Sequence, residues 1–291
     1  PGIDRHRQGG AWHQAVLIEM DVLSTTADAR ASDGTSLTYR RWQGKESTQR
    51  ALLIHSLAMT GSFWDETVAA LDDTWDVIAV DCRGHGGSGK PPGPYTVESM
   101  ADDVACVMDT AGWQNALIAG ASMGGCIALA LAARHPARCQ GLGLFDTTAW
   151  YGDGAEDAWE GRARKALDEG LSALVGFQKT RWFSDAFREA RPDVVEQTID
   201  VFLANDVAAY AETCRMLGRS DQRPGLAGFA MPVEIVVGEE DYATTPAMAQ
   251  AMHDVIADSN LTVHPGLRHF TPLEAPEIIA GHLAALAGRL D

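Results

Sequence analysis

The sequence predicts an α/β protein: a mostly parallel sheet with helices on both faces, interrupted by an all-helical insertion. Three observations carry this. Short apolar runs alternate with segments of helical spacing from residue 37 to residue 145, the rhythm of strand–helix–strand units. That rhythm stops after Asp146 and resumes only at Val233. Between a short apolar run and an Ala- and Leu-rich run, within residues 116–133, sits the turn Gly120-Ala121-Ser122-Met123-Gly124. The 291 residues are ample for a large core.

In chain order, residues 1–15 are polar and aperiodic, and residues 1–19 read as a flexible leader with Met20 as the natural start. Asp33-Gly34 is a turn signal, residues 37–42 read as a strand and 43–49 as a polar loop. The apolar run 51–54 is a buried strand ending in His55-Ser56-Leu57. Residues 63–71 have helical spacing, and 75–80 form the next buried strand. A loop from Asp81 to Ser88 follows, prolonged by Pro91-Pro92-Gly93-Pro94. Thr96, with Ser99 close behind, caps a helix that runs to about Thr110. Residues 116–119 are a strand, 126–133 a buried helix that Pro136 ends, and 141–145 a strand. From Trp150 to about Leu226 the segments 158–169, 171–178, 184–189, 192–204 and 207–217 are helical. The sheet resumes at 233–237, followed by helix 246–256, strand 261–263 and helix 276–290. The expected organisation is therefore a core of residues 20–146 and 227–291, with residues 147–226 as a helical cap, or lid.

Composition excludes several classes. Lys and Arg number 23 against 40 Asp and Glu, a net charge of -17, which leaves no cationic excess to replace counterions on nucleic acid or on an anionic membrane. Cys82, Cys106, Cys126, Cys139 and Cys214 are odd in number and contain no C-x-x-C, so neither a disulfide framework nor a zinc ribbon fits, and a reducing cytoplasm is the simplest setting. The uncharged stretch 113–133 reaches membrane-spanning length, but the glycine-containing turn divides it into strand and helix. No Walker loop, no dinucleotide-binding glycine pattern and no metal-ligand spacing occurs, so no cofactor and no metal are expected. A homo-oligomer is left open.

The turn carries the chemistry. G-x-S-x-G between a strand and a helix is a nucleophile elbow. Glycines on either side remove collisions that side chains would make in so tight a turn. The hydroxyl of Ser122 then stands at the carboxyl edge of the sheet, with the Met123 N–H pointing to the same spot from a helix N-terminus. A serine hydroxyl needs a base, and the base needs a group to hold it. On such an elbow the partners follow in the order acid, then histidine. Glu239, Glu240 and Asp241 are adjacent at one strand end; Asp241 is preferred because its turn leads into Pro246 at a helix start, with Glu240 as runner-up. Of two histidines at the next strand end, His264 precedes a proline and reads as structural, whereas His269 lies beyond the turn, where an imidazole can reach the elbow. The second oxyanion donor is the N–H of Leu57, in the loop after strand 51–54. Trp150 leaves the core at the carboxyl edge and is the expected pocket wall; Ser56, Tyr151 and Trp182 complete the expected substrate contacts. The other insertion aromatics, Trp159 among them, read as packing.

The landmarks now on the page resemble the α/β-hydrolase superfamily from about Leu37 onward: H-S-L at 55–57, D-C-R-G-H-G-G-S at 81–88, G-A-S-M-G-G at 120–125, G-E-E-D-Y-A-T-T-P at 238–246 and G-L-R-H-F at 266–270. More narrowly, the chain resembles the 3-oxoadipate enol-lactonases in P-P-G-P-Y-T at 91–96, W-x-x-R at 159–162, R-W-F at 181–183 and F-R at 187–188. It departs from that pattern at His55, Ala58 and Cys82. The resemblance implies a serine hydrolase acting on a small-molecule ester or lactone through an acyl-enzyme. For an acidic lactone, Arg162, Arg164 or Arg181 would meet the carboxylate. Two other readings share these residues: a C–C bond or amide hydrolase with the same triad, and a non-catalytic small-molecule-binding protein.

Overall fold

The computed structural model describes residues 24–290. The leader and Met20 lie outside the described residues. Eight strands form one sheet: β1 (Thr25–Arg30), β2 (Ser36–Gln43), β3 (Gln49–Ile54), β4 (Trp75–Val80), β5 (Ala116–Ala121), β6 (Cys139–Phe145), β7 (Val233–Gly238) and β8 (Ser259–His264), in spatial order β1-β2-β4-β3-β5-β6-β7-β8. β2 runs antiparallel to both β1 and β4, and every other pairing is parallel. The α/β class and the mostly parallel sheet are thus as the alternation predicted.

Helices α1 (Asp65–Ala69), α2 (Val97–Thr110) and α3 (Met123–Arg134) connect the first strands. α4 (Ala155–Glu169), α5 (Val175–Trp182), α6 (Asp185–Ala190), α7 (Pro192–Leu203) and α8 (Val207–Arg219) lie between β6 and β7, and α9 (Pro246–His253), α10 (Thr271–Glu274) and α11 (Pro276–Ala287) complete the chain. Strands β4, β5 and β7 are buried at every position, which is why their sequences are mainly apolar rather than alternating, with one buried acid each in β4 (Asp76) and β7 (Glu234). α3 is likewise buried from Met123 to Ala132, matching its Ala- and Leu-rich sequence.

Some expected boundaries differ. α3 starts at Met123 rather than 126, because Ser122 itself is the N-cap. The segment expected as helix 171–178 is a 3-10 turn, Leu171–Leu174, followed by α5, which extends to Trp182. The helix expected to run to 256 ends at His253, and the last helix is preceded by the short α10.

Sheet order places the site. From β3 the chain moves to β4 on one side and then to β5 on the other, so β3 and β5 flank the topological switch point. Ligands of open parallel sheets bind outside the carboxyl ends of the strands at that point. His55-Ser56-Leu57 leaves β3 there, and Ser122 leaves β5. Among the described residues no helix is long and apolar enough to cross a membrane.

Candidate active site

Ser122 has φ 52° and ψ -114°, a conformation that side chains rarely adopt. The structure holds it there by close packing. A Cβ on Gly120 would lie 2.1 Å from the Gly124 carbonyl oxygen, and one on Gly124 would lie 2.1 Å from the Ile54 carbonyl oxygen. Both neighbours are backbone, so neither can move aside. The Ser122 N–H donates to Phe145 O at 2.9 Å, and Thr147 Oγ1 donates to Ser122 O at 2.6 Å. The turn is therefore pinned to the end of β6 from both of its backbone groups.

The serine hydroxyl meets His269. Ser122 Oγ lies 3.0 Å from His269 Nε2, and His269 Nδ1 lies 2.7 Å from Asp241 Oδ2. Since a carboxylate accepts, Nδ1 carries the proton and Nε2 is free to accept from the serine. Asp241 is buried and well satisfied: the N–H groups of Ala243 and Thr244 donate to Oδ1 at 2.7 and 3.0 Å, and the Thr244 hydroxyl donates to Oδ2 at 2.8 Å. Burial pushes the Asp241 carboxyl up, but His269 and these donors together hold it below the ordinary value. Glu240 instead pairs with Arg268 at 2.8 Å on the surface. His264 bonds His282 at 2.8 Å. The structure thus brings together Ser122, His269 and Asp241, not their runners-up.

The backbone N–H groups of Leu57 and Met123 have no hydrogen-bond acceptor among the described residues. Leu57 and Ser56 line the small cavity at Ser122 and His269, together with Tyr151, Trp159, Arg162, Arg181 and Trp182. Of the expected substrate contacts, Ser56, Tyr151, Arg162, Arg181 and Trp182 therefore do face the serine. Trp159, read as packing, faces it too.

Trp150 is a correction. It lines a different cavity, against Ala149, Leu226 and Met252, and the Arg223 guanidinium covers its ring at 3.7 Å. The reason is local. Trp150 pairs with Asp221 in an extended bridge, and successive side chains on extended backbone point opposite ways. The turn at Thr148 sends Trp150 outward and Tyr151 inward. Arg164 is also elsewhere: it is exposed and bonds Glu160 at 2.9 Å.

The two inward-facing arginines are chemically unusual. Arg188 and Arg215 of the same helical segment are paired with carboxylates, as is Arg164. Among the described residues, Arg162 and Arg181 are in no ion pair. Arg162 donates to the Tyr210 hydroxyl at 2.7 Å and packs on the Trp159 ring at 4.9 Å. Arg181 packs on the rings of Phe177 and Tyr242 at 5.4 and 5.8 Å. Burial, then the Arg162 charge beside it, pulls the Arg181 guanidinium below its ordinary value.

Sequence reasoning missed one organising residue. Asp146, at the end of β6 and fully buried with φ 46°, accepts from Gly238 N at 3.1 Å, from Thr271 N at 2.9 Å and from Thr271 Oγ1 at 2.7 Å. It ties the turn that carries Asp241 to the loop that carries His269. An acid at the carboxyl end of a buried strand was the available signal. Among the described residues no group of three or more His, Cys, Asp or Glu is arranged to hold a metal ion.

This fold and this serine turn belong together in known proteins. The chain matches the family described as alpha/beta hydrolase fold over residues 52–276, and it belongs to that family. Within it, the chain is 30% identical over 264 residues to 3-oxoadipate enol-lactonase 2 of Acinetobacter baylyi, covering 91% of this chain and 97% of the relative. It is 31% identical to a pimeloyl-acyl-carrier-protein methyl ester esterase of Neisseria meningitidis, covering 81% and 92%. The solved enol-lactonase of Burkholderia xenovorans LB400 superposes with a TM-score of 0.85 at 33% identity, covering 90% of this chain and all of that one.

Proposed function

We propose that the protein is a serine hydrolase that cleaves a small ester or lactone through an acyl-enzyme. The observation that carries this is the hydrogen-bonded line Ser122–His269–Asp241 at the switch point of the sheet. His269 Nε2 takes the proton as Ser122 Oγ attacks the carbonyl carbon, and Asp241 stabilises the imidazolium that forms. The oxyanion is held by the free N–H groups of Leu57 and Met123, each worth about 3 kcal/mol to the transition state. His269 then gives its proton to the leaving oxygen, and the bond from carbon to that oxygen breaks. Water, deprotonated by the same imidazole, attacks the acyl-enzyme and frees Ser122.

The helices between β6 and β7 act as a cap. Trp159, Arg162, Arg181 and Trp182 from this segment share a cavity with Ser122. Trp182 also accepts the N–H groups of His269 and Phe270 at 3.1 and 3.0 Å, so the cap and the histidine loop are joined. Arg162 and Arg181, in no ion pair among the described residues of a chain of net charge -17, suit a substrate bearing a carboxylate. Relatives named enol-lactonase and methyl ester esterase support the ester or lactone. The odd, scattered cysteines suit a reducing compartment such as the cytoplasm.

The test is turnover of an enol-lactone and a short nitrophenyl ester by the wild type and by Ser122→Ala. The variant should lose a factor on the order of 10⁴ or more on both. Unchanged turnover would remove Ser122 as nucleophile, and the wild-type ratio reports whether lactones are preferred.

A further inference from the structure

The free space at Ser122 is about 20 Å³, whereas the adjoining space is about 560 Å³. The first is on the scale of a single water molecule, and the second is in the range of a whole small-molecule site. Tyr151, Trp159, Arg162, Arg181 and Ala243 form walls of both. Beyond them the space is lined by Ala158, Gly161, Leu174, Phe177 and Met248, of which Ala158, Gly161 and Phe177 are exposed, so it is a groove that opens to solvent. Its charged groups are Arg162, Arg181 and Lys165, the last paired with Glu169 at 3.6 Å, and among the described residues no acidic side chain lines it, although acids outnumber bases by 17 in the chain. An apolar lining and the two arginines together select an amphiphilic anion.

We propose that this space is a second subsite that binds an apolar arm of the substrate, while Arg162 and Arg181, which border both spaces, hold a carboxylate where the arm joins the reacting carbonyl. Only the reacting carbonyl enters the narrow space at Ser122. The substrate is then a long-chain acidic ester or lactone rather than the smallest member of its class. This inference rests on the reading of Ser122 as the nucleophile.

Gly161 offers a direct test. Gly161 is exposed on the lining of the groove and a Cβ there meets nothing within 4 Å, so a larger side chain fits at that rim without displacing its neighbours and narrows the groove. The probes are mono-nitrophenyl esters of butanedioic acid carrying a short (methyl) or a long (octyl) side branch, and neutral nitrophenyl decanoate. In the wild type, kcat/KM should favour the long acidic ester over the short one about tenfold or more, and over the neutral one by a similar factor. Gly161→Leu, with Ala158→Leu as the second variant, should bring the long-to-short ratio to about one or below. Equal turnover of the short- and long-branched esters by the wild type, or a ratio that neither substitution moves, overturns the subsite and leaves the groove a passage only. A preference for the neutral decanoate overturns the carboxylate contact. Ser122→Ala, run on the same probes, reports separately on the nucleophile, since its failure would show as retained turnover of every ester.

Discussion

At the residue scale the site depends on groups whose partners are fixed or missing. Arg181 has no carboxylate of its own and sits against aromatic rings. Arg181→Met keeps the packing and removes the charge. It should raise KM for an acidic ester about tenfold or more, with little change for a neutral ester of equal length; equal effects on both would assign Arg181 a packing role. Asp146 is the opposite case, a buried acceptor of three hydrogen bonds. Asp146→Ala would leave the Gly238 and Thr271 N–H groups without an acceptor, at about 1–3 kcal/mol each. Asp146→Asn, which keeps one acceptor oxygen, should lose less. Urea unfolding orders the three proteins, and an Ala variant as stable as the wild type would contradict the tie. The serine, histidine and acid were legible as residues because the elbow pattern and strand ends mark them. Tyr151 against Trp150 was not legible, since which neighbour faces inward depends on the bridge to Asp221.

At the element scale the strands that were easy to read are the buried ones. β1 went unseen: its sequence is Thr-Thr-Ala-Asp-Ala-Arg, and only Ala29 is buried. An edge strand held mainly by its backbone pairing to β2 leaves little apolar signal. Helix α2 shows the reverse, because its start was written locally. Thr96 Oγ1 accepts the Ser99 N–H at 3.0 Å, and the Ser99 side chain answers the Thr96 N–H at 3.3 Å. Thr96→Ala should lower stability by about 1 kcal/mol. Thermal unfolding checks this, and an unchanged Tm would mean that the cap adds nothing beyond the packing of the helix.

For the molecule as a whole, two buried histidines should make stability fall in acid. His55 Nδ1–H donates to Ser56 O at 2.7 Å, so Nε2 is bare and accepts the Cys82 N–H at 3.0 Å. Burial pulls His55 down to about 4. Burial and then the neighbouring His55, with rings 5.0 Å apart, pull His85 down to about 3. The groups facing this pair include Asp81 and Lys90, with opposite effects on His85. Folded-state values below the unfolded value mean that the unfolded chain binds the protons first. The stability is fully present above about pH 6.5 and is lost as pH falls toward 4, at about 1.4 kcal/mol per pH unit for each histidine. Urea unfolding at pH 7.5, 6 and 5 should show this decline. A level profile down to pH 5 would mean that both imidazoles ionise within the fold.

The α/β class, the helical interruption, the turn that carries Ser122 and the strand ends that carry Asp241 and His269 are written in short stretches of sequence. These are local properties: apolar runs, turn glycines, a cap and a proline act over a few residues. Tertiary structure alone decided which side chains share a cavity. Asp146 joins two loops 125 residues and 92 residues away in sequence. Trp159 and Trp150 exchange the roles their sequence positions suggested. Among the described residues Arg162 and Arg181 end without carboxylates, whereas Arg164, Arg188 and Arg215 find them. Such outcomes depend on how distant elements pack, and no short stretch of sequence encodes the distance between them.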